Sequence, residues 1–297
     1  MQYIMGEEEK AYLKAYNQAN YDRPSVATDI VVFTIGKEES EDIRQLPIGK
    51  LRVLLINRAS YPYKGMWALP GGFCRKNEEV YDTARRELFE ETNIKDAYLN
   101  LSGIYGDVDR DPRGWIISHA FLALIDGTKC KLRADTDAWD AKWFDVDIKM
   151  TQEEKLQEEE SIRMKNVYDL TLRCEEITLT ALVREIKHYE NYHEKVSYEI
   201  VSDKGIAFDH AKIIVEAFKQ LQKSAQHDDK IIFDLMPEQF TLTELQKVFE
   251  IILQRDLLKA NFRRKIADYV IKTEDLETGR GYRTANQYKR NIEKFYE

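Results

Sequence analysis

The 297-residue sequence has few cysteines and no long apolar run, and both shortages exclude classes of protein. Its three cysteines lie far apart without a CxxC pair, which argues against a disulfide framework or a zinc site and favours reduced thiols. The longest apolar runs, such as Ile30–Phe33, are far too short to span a bilayer. The N-terminal residues lack the basic and apolar regions of a secretory signal. We therefore expect a cytoplasmic protein that does not associate with a membrane.

Length and composition predict a globular chain with two domains. Hydrophobic residues make up 43% of the sequence and charged residues 33%, as in folded proteins. The net charge is −8, but it is unevenly distributed. Residues 237–297 carry 12 Lys and Arg against 10 Asp and Glu, which leaves −10 on the remainder. An acidic body with a mildly basic end predicts different roles for the two parts.

An acidic run between Gly72 and Ile94 is the most informative motif. Glu87, Glu90 and Glu91 stand at positions i, i+3 and i+4, which share one face of a helix. Like charges on one face repel each other, so we expect a positive partner there. Carboxylate oxygens are the ligands that hard divalent cations prefer, which makes this face a candidate metal site.

The same run has the apolar spacing of a helix. Val80, Ala84 and Leu88 recur at i, i+4 and i+8, which predicts a stripe that faces the core beside the acidic face. Asn77 is the predicted N-cap. Glu78 follows at the positive end of the helix dipole, where a carboxylate is favourable.

The run resembles the Nudix box, the signature of the MutT-like hydrolases that cleave nucleoside diphosphates linked to another group. The pattern is Gly, five residues, Glu, seven residues and then Arg-Glu-apolar-x-Glu-Glu-x-Gly-apolar. The matching residues are Gly72, Glu78, Arg86, Glu87, Leu88, Glu90, Glu91 and Ile94. Asn93 stands where the family has Gly, and Asn is the next most tolerated residue in the left-handed position that closes a helix. The alternative is a solvated acidic helix face, against which the strict spacing argues.

This resemblance implies roles for the acidic residues. Glu87, Glu90 and Glu91 would ligate Mg²⁺ or Mn²⁺, and a nearby acid would help to activate water. Arg86 would brace a Glu by ion pairing. Gly71 and Gly72 would let the backbone approach the metal and the phosphates, because no side chain intervenes. Two roles stay open for Glu78, a further catalytic acid or a partner of the helix dipole.

Strands and helices are predicted around this motif. The strand segments are Ala27–Ile35, Leu51–Asn57, Ile116–Ile125 and Ala141–Phe144, with a hairpin loop over Lys37–Lys50. Thr151–Ser161 is Glu-rich and is predicted to be a solvated loop or a short helix. Tyr168–Tyr189 and Val196–Val201 are ambiguous between helix and strand. Phe208–Leu221 has helical spacing, and Ser224–Lys230 is predicted to be a linker.

The last sixty residues have the element order of a winged helix-turn-helix. Thr241–Glu244 is a capping box that begins an amphipathic helix. A short turn leads to the basic helix Asn261–Ile266. Gly279–Tyr282 predicts a tight turn, and the segment to Tyr288 predicts the returning strand of a hairpin.

Two basic patches in this region are candidates for DNA contacts. The segments 255–265 and 280–294 each contain five Lys or Arg and one acid. Duplex DNA binding depends largely on such contacts with phosphates, and Asn261 and Arg264 could read bases. The candidate DNA-binding residues are Lys259, Asn261, Arg263, Arg264, Arg280 and Arg283. A solvated surface or a protein-contact surface is the alternative.

A second motif narrows the resemblance. The turn-rich loop Tyr105–Trp115, together with the Gly-Gly turn and the basic C-terminal region, is similar to the Nudix-related transcriptional regulators of NAD metabolism and sugar utilisation and to their ADP-ribose pyrophosphatase relatives. This resemblance implies a pocket for ADP-ribose or a related nucleotide and a winged domain that grips operator DNA as a homodimer. Arg58, Arg110 and Arg113 would then contact phosphate or ribose, and the alternative for each of them is a structural role.

Together these observations predict an α/β protein. We expect a Nudix α/β/α sandwich with a mixed sheet over residues 1–226 and a winged helix-turn-helix domain over 227–297. The expected activity is Mg²⁺-dependent hydrolysis of the diphosphate of ADP-ribose or a similar nucleotide sugar, with DNA binding as an added activity. The alternative is a ligand-sensing transcriptional regulator that binds the effector without hydrolysing it.

Overall fold

The computed structural model describes residues 5–36, 49–95, 97–128, 141–158, 161–277 and 285–295. The α-helices in these ranges are α1 (Glu7–Ala15), α2 (Val80–Thr92), α3 (His210–His227), α4 (Leu242–Leu253), α5 (Lys259–Ile266) and α6 (Ile292–Phe295). The strands are β1 (Ser25–Gly36), β2 (Lys50–Asn57), β3 (Trp67–Ala68), β4 (Gly71–Phe73), β5 (Tyr98–Tyr105), β6 (Ile116–Leu124), β7 (Ala141–Gln157), β8 (Ser161–Cys174), β9 (Ile177–Glu190), β10 (His193–Lys204), β11 (Val270–Glu277) and β12 (Ala285–Arg290). Most of the predicted Lys37–Lys50 loop and all of the Gly279–Tyr282 turn lie outside the described residues.

One mixed sheet forms the body of the protein, as the sequence predicts. Eight of its ten strands are hydrogen-bonded in the order β10-β9-β8-β7-β2-β1-β6-β5. The other two are β3, which pairs with β2, and β4, which pairs with β1. β1 and β6 are parallel, whereas β1 pairs with β2 and β4 in the antiparallel sense. β11 and β12 form a separate antiparallel ribbon that corresponds to the predicted hairpin.

The centre of the sheet is covered on both faces, which explains why β1 is almost entirely apolar. Alternate residues of a strand point to opposite faces. Ile30 and Val32 belong to a core that includes Ala84 and Leu88 of α2. Val31 points to the opposite face, the one that Asp29 also faces. It belongs to a larger core that includes residues of α3. The predicted α/β/α sandwich is therefore confirmed.

The predicted loop or short helix over Thr151–Ser161 is wrong. The segment continues β7 as far as Gln157, and β8 returns from Ser161 with Gln157 opposite Ile162. The side chains from Thr151 to Gln157 are exposed, so no alternation of polar and apolar residues marks the strand in the sequence. Backbone pairing with β8 is what holds it extended. The segments Tyr168–Tyr189 and Val196–Val201, for which helix and strand were both open, form strands and belong to β8, β9 and β10.

The ends of α2 agree with the sequence at one terminus only. The helix begins at Val80 with Glu79 as the N-cap, so the predicted N-cap at Asn77 is wrong. Asn93 closes the helix in the left-handed conformation with φ of 62°, and its N–H donates to the carbonyl of Phe89. Asn therefore fills the position where the Nudix pattern has Gly, as expected from its tolerance of this conformation.

The predicted linker over Ser224–Lys230 is also wrong. It forms the last turn of α3 and the start of a 3₁₀ helix, Asp229–Leu235, and Ala225 within it is fully buried. The core that includes Phe33 of β1 continues through Phe218 of α3 to Phe249 of α4. The two predicted domains therefore share one packed interior at their boundary.

No helix in the described ranges is long and apolar enough to cross a bilayer.

The capping box that begins α4 is confirmed. The backbone N–H of Glu244 donates to Oγ1 of Thr241 over 3.1 Å, and the backbone N–H of Thr241 donates to Oε2 of Glu244 over 2.7 Å. These two bonds satisfy donors that an isolated helix start leaves unpaired. They fix where the helix-turn-helix begins.

Replacing Thr241 with Ala should lower the free energy of unfolding by about 1 kcal/mol, because the cap bond to Glu244 is lost. Thr243→Ala is the matched control, since Thr243 lies inside α4 and Ala is the better helix former. Urea unfolding of both variants measures the difference. Equal stability of the two variants would contradict a stabilising capping box.

Candidate functional site

Two glycines allow α2 to approach the sheet. Gly71 pairs with Asp29 and Gly72 with Thr28 across β1 and β4. A Cβ atom on Gly71 would collide with the backbone carbonyl of Thr28, and one on Gly72 would collide with the carboxylate of Glu87. The predicted need for Gly at these two positions therefore has a steric cause, which is the close packing of β4 against β1 and α2.

Glu91 points from α2 to the Gly-Gly turn. Its Oε2 accepts a hydrogen bond from the backbone N–H of Gly71 over 2.8 Å. Burial raises the pKa of Glu91 to about 8 against the opposing effect of this bond, and the nearby charges of Glu87 and Asp29 raise it further. The protein supplies too little positive charge here to keep the Glu91 carboxylate ionised as readily as an exposed one.

Arg86 holds the other acids of the motif. Its Nε donates to Glu78 over 2.6 Å, and its Nη1 donates to Glu87 over 2.5 Å and to Glu90 over 3.1 Å. The hydrogen bond from Arg86 lowers the pKa of Glu78 to about 2. The bracing role predicted for Arg86 agrees with this geometry. Glu78 also accepts from the Thr83 hydroxyl, so here it is a partner of Arg86 and Thr83.

The three predicted metal ligands share one face of α2, but they do not converge. Glu87 and Glu90 turn towards Arg86, whereas Glu91 turns towards Gly71. Within the described ranges, no three or more His, Cys, Asp or Glu side chains are gathered closely enough to hold a metal ion. The donors nevertheless suit a divalent cation, because they are carboxylates and because Glu91 is partly buried beside other negative charges. The ligand assignment stays a prediction.

A cavity of about 240 Å³ opens beside these acids. Its walls include the Gly-Gly turn, Asp29, Glu91, three arginines and Phe208. The guanidinium carbon of Arg58 lies 4.7 Å from the centre of the Phe208 ring, and that of Arg113 lies 5.5 Å from it. The cavity thus joins a carboxylate-rich side to a side with two cations and an aromatic ring.

The two arginines at this ring differ in their partners. Arg58 is half-buried and donates from Nε to the carbonyl of Pro62 over 2.8 Å. Burial lowers the pKa of Arg58, and the neighbouring charge of Arg113 lowers it further. Arg113 pairs with Asp111 over 2.6 Å, and its side chain is 42% exposed. Both guanidinium groups line the cavity, as expected for groups that contact phosphate or ribose.

Arg110 lines the cavity and is also paired within the protein. Its side chain is only 5% exposed, and Nη2 lies 2.7 Å from Asp209 and 3.4 Å from Asp29. Through these two carboxylates Arg110 ties β1 to the residue that precedes α3. The contact of Arg110 with phosphate or ribose stays a prediction beside this structural role.

The sequence analysis missed Asp29 and His210. Nδ1 of His210 accepts the backbone N–H of Leu69 over 2.8 Å, so its Nε2 carries the hydrogen and faces Asp29 at 3.4 Å. Burial opposes ionisation of Asp29, but His210, Arg110 and a bond from Ser118 together hold its pKa well below its usual range. One signal was present in the sequence, an acid next to the apolar run Ile30–Phe33.

The candidate DNA-binding residues of α5 are exposed. Lys259, Asn261, Arg263 and Arg264 all point away from the core, which holds Phe262 and Ile266 of the same helix. Nη2 of Arg264 donates to Asn261 over 3.3 Å. Arg280 and Arg283 lie outside the described residues.

A substitution at the Gly-Gly turn tests its steric role. Gly71→Ala should lower the free energy of unfolding by about 1–3 kcal/mol, because its Cβ meets backbone that cannot rotate away. Gly72→Ala should cost less, since the obstacle is the flexible end of Glu87. Gly106→Ala is the control, because its Cβ would meet only an ordinary contact at 3.6 Å. Chemical denaturation ranks the three, and a Gly71 variant as stable as the Gly106 variant would refute the close approach.

Comparisons with known proteins cover both parts of the chain. A family model described as the NUDIX domain matches residues 46–165, and one described as the NrtR DNA-binding winged helix domain matches residues 232–289. The ADPR responsive transcriptional repressor NtrR of Acinetobacter baylyi is 28% identical over 95% of this chain and 88% of the repressor. The ADP-ribose pyrophosphatase of Methanocaldococcus jannaschii is 42% identical over 32% of this chain and 55% of that enzyme.

Solved structures show the same architecture. A MutT/nudix family protein from Enterococcus faecalis is 25% identical, with a TM-score of 0.61 over 98% of this chain and all of the other. Shewanella oneidensis NrtR complexed with a 27mer DNA is 24% identical, with a TM-score of 0.57 over 90% of this chain and 93% of the other. The chain therefore contains a Nudix domain followed by a winged helix domain of the NrtR type.

Proposed function

We propose that this protein is a DNA-binding regulator whose Nudix pocket binds ADP-ribose or a similar nucleoside diphosphate derivative. The main support for the proposal is that one chain contains both a Nudix domain with a pocket and a winged helix domain. The similarity to an ADPR responsive repressor along 95% of the sequence supports the same pairing of functions. We expect the regulator to act as a homodimer on operator DNA, since half-site recognition by helix-turn-helix proteins uses two copies.

The chemistry of the cavity supports a nucleotide ligand. Arg58 and Arg113 supply cationic groups for phosphates, and the Gly-Gly turn lets backbone approach them. The guanidinium carbon of Arg113 also lies 4.9 Å from the centre of the Phe73 ring. A flat base that displaced this partly exposed side chain would find aromatic surface at Phe73 and Phe208. Ligands with both a diphosphate and a base therefore match the site better than a simple sugar does.

DNA binding depends on α5 in this proposal. Arg263 and Arg264 are exposed on the helix that follows the helix-turn-helix turn, where they are available to phosphates and base edges. Effector binding in the pocket would shift the chain towards a form with a different affinity for DNA.

The double substitution Arg263→Ala and Arg264→Ala should weaken binding to a duplex taken from upstream of the protein's own gene. It should also reduce the slope of log K against log salt by about 2, one for each lost phosphate contact. Fluorescence anisotropy over a salt series measures both quantities, with Lys149→Ala as the control because Lys149 lies on β7 and pairs with Asp147. Addition of ADP-ribose should change the affinity of the unaltered protein. Binding that is insensitive to both the double substitution and ADP-ribose would refute the proposal.

Hydrolysis of the bound ligand is a second candidate function, and the complete set of acids favours it. Glu87, Glu90 and Glu91 would hold Mg²⁺ or Mn²⁺. When bound, such an ion neutralises negative charge on the diphosphate and lowers the pKa of a coordinated water. Arg86, which now binds Glu87 and Glu90, would release them to the ion while its bonds to Glu78 keep the guanidinium in place. The N–H of Gly71 fixes one oxygen of Glu91 and leaves the other free to bind.

The hydrolytic function has a direct test. With Mg²⁺, ADP-ribose should be converted to two monophosphates, and Glu90→Gln or Glu91→Gln should reduce kcat by about 100-fold or more. Glu79→Gln is the matched control, since Glu79 is an exposed N-cap whose side chain makes no cap bond. Product chromatography follows the reaction. If the unaltered protein binds ADP-ribose but produces no monophosphate with either metal, the pocket binds its ligand without hydrolysing it.

A further inference from the structure

The first turn of α3 is attached to the Nudix pocket. The N–H of Trp67 donates to the carbonyl of Gly205 over 2.9 Å, and the N–H of Ala207 donates back to Trp67 over 2.8 Å. His210, the first residue of α3, receives the N–H of Leu69 and faces Asp29. The segment that begins α3 is thus bonded to β3, which leads directly into the Gly-Gly turn.

A ligand in the cavity would touch this segment. Phe208 lies two residues before α3, in the left-handed conformation with φ of 54°. Its ring is in contact with Arg58 and Arg113, two of the three arginines that line the cavity. A ligand that moves either guanidinium therefore alters the packing of the residue that leads into the helix.

The far end of α3 is attached to the winged helix domain. The helix has 18 residues, a length of about 27 Å, and its sequence contains no Gly or Pro at which it would bend. Nε2 of Gln222, which is 8% exposed, donates to the carbonyl of Ile252 over 2.9 Å and lies 3.3 Å from Oε1 of Gln254. Nε2 of Gln254 donates in turn to the carbonyl of Ile148 in β7 over 2.8 Å.

These contacts are at the turn between α4 and α5. The carbonyls in the last turn of a helix have no partner inside it, and Gln222 supplies one for Ile252. Gln254 is the left-handed residue that ends α4, with φ of 51°. Five residues later α5 begins at Lys259. Gln222, in the last third of α3, therefore contacts the turn at which the first helix of the helix-turn-helix ends.

We propose that α3 couples the pocket to the DNA-binding helices through the bond from Gln222 to the end of α4. The proposal rests on the function proposed above and adds the element by which ligand and DNA act on each other. A displacement of the first turn of α3 is carried along a rigid helix and changes the position of the α4–α5 turn. Coupling of this kind must be shown by its effect on two binding equilibria, since spatial position alone does not establish it.

The test is Gln222→Met, which keeps the side-chain length but removes the donor. DNA affinity of the full-length chain is measured by anisotropy with and without ADP-ribose, in EDTA so that metal-dependent turnover cannot consume the ligand. We expect ADP-ribose to change the DNA affinity of the unaltered protein by about 5-fold or more, a usual size for allosteric coupling. In the variant the change should fall below about 2-fold, while each ligand alone still binds. By reciprocity, DNA should lose its effect on ADP-ribose affinity to the same extent.

Gln220→Met is the matched control, because Gln220 lies on the same helix but accepts a hydrogen bond from Ser102 within the Nudix domain. It should retain the coupling of the unaltered protein. Gln222→Leu, which also removes the donor to Ile252, provides a second measurement if Gln222→Met does not fold. Full coupling in either folded Gln222 variant would overturn the inference. Absence of coupling in the unaltered protein would instead overturn the proposed function, and the inference with it.

Discussion

The ion network around Asp29 determines how the two faces of the sheet meet at the site. Arg110 contacts Asp29 and Asp209 together, and His210 faces Asp29 from the first turn of α3. Burying an ionised carboxylate costs free energy unless it is paired. Here donors from several elements pair with Asp29 and offset that cost. The position of α3, and with it the shape of the cavity wall at Phe208, follows from satisfying this one charge.

The acidic motif presents a competition between an internal cation and an external one. Arg86 now satisfies Glu78, Glu87 and Glu90, whereas Glu91 accepts its hydrogen bond from the backbone N–H of Gly71. A divalent ion that recruited Glu87 and Glu90 would have to draw them from Arg86, with Glu78 keeping the guanidinium in place. This arrangement explains how a motif with intact spacing can have acids that do not converge.

The features that sequence could predict were local ones. The acid spacing, the left-handed Asn93 and the capping box at Thr241 each depend on residues within one or two helical turns, and the structure has all of them. Asp29 and His210 are 181 positions apart, and no local pattern indicates that they meet. The Glu-rich end of β7 was missed for a related reason, since its strand conformation comes from pairing with β8. The ion pairs of Arg110 with Asp29 and Asp209 could not be predicted either, because these partners are distant in the chain.

The continuous interior has a consequence for the folding of the protein. Phe33 and Phe218 are in edge contact at 6.4 Å, and the same core extends through Phe233 to Phe249. Because the two functional parts share buried residues at this boundary, we expect them to unfold as one cooperative unit rather than as two independent modules. A lesion that loosens the packing of α4 therefore also lowers the population of molecules with an intact nucleotide cavity, although the cavity itself is unaltered.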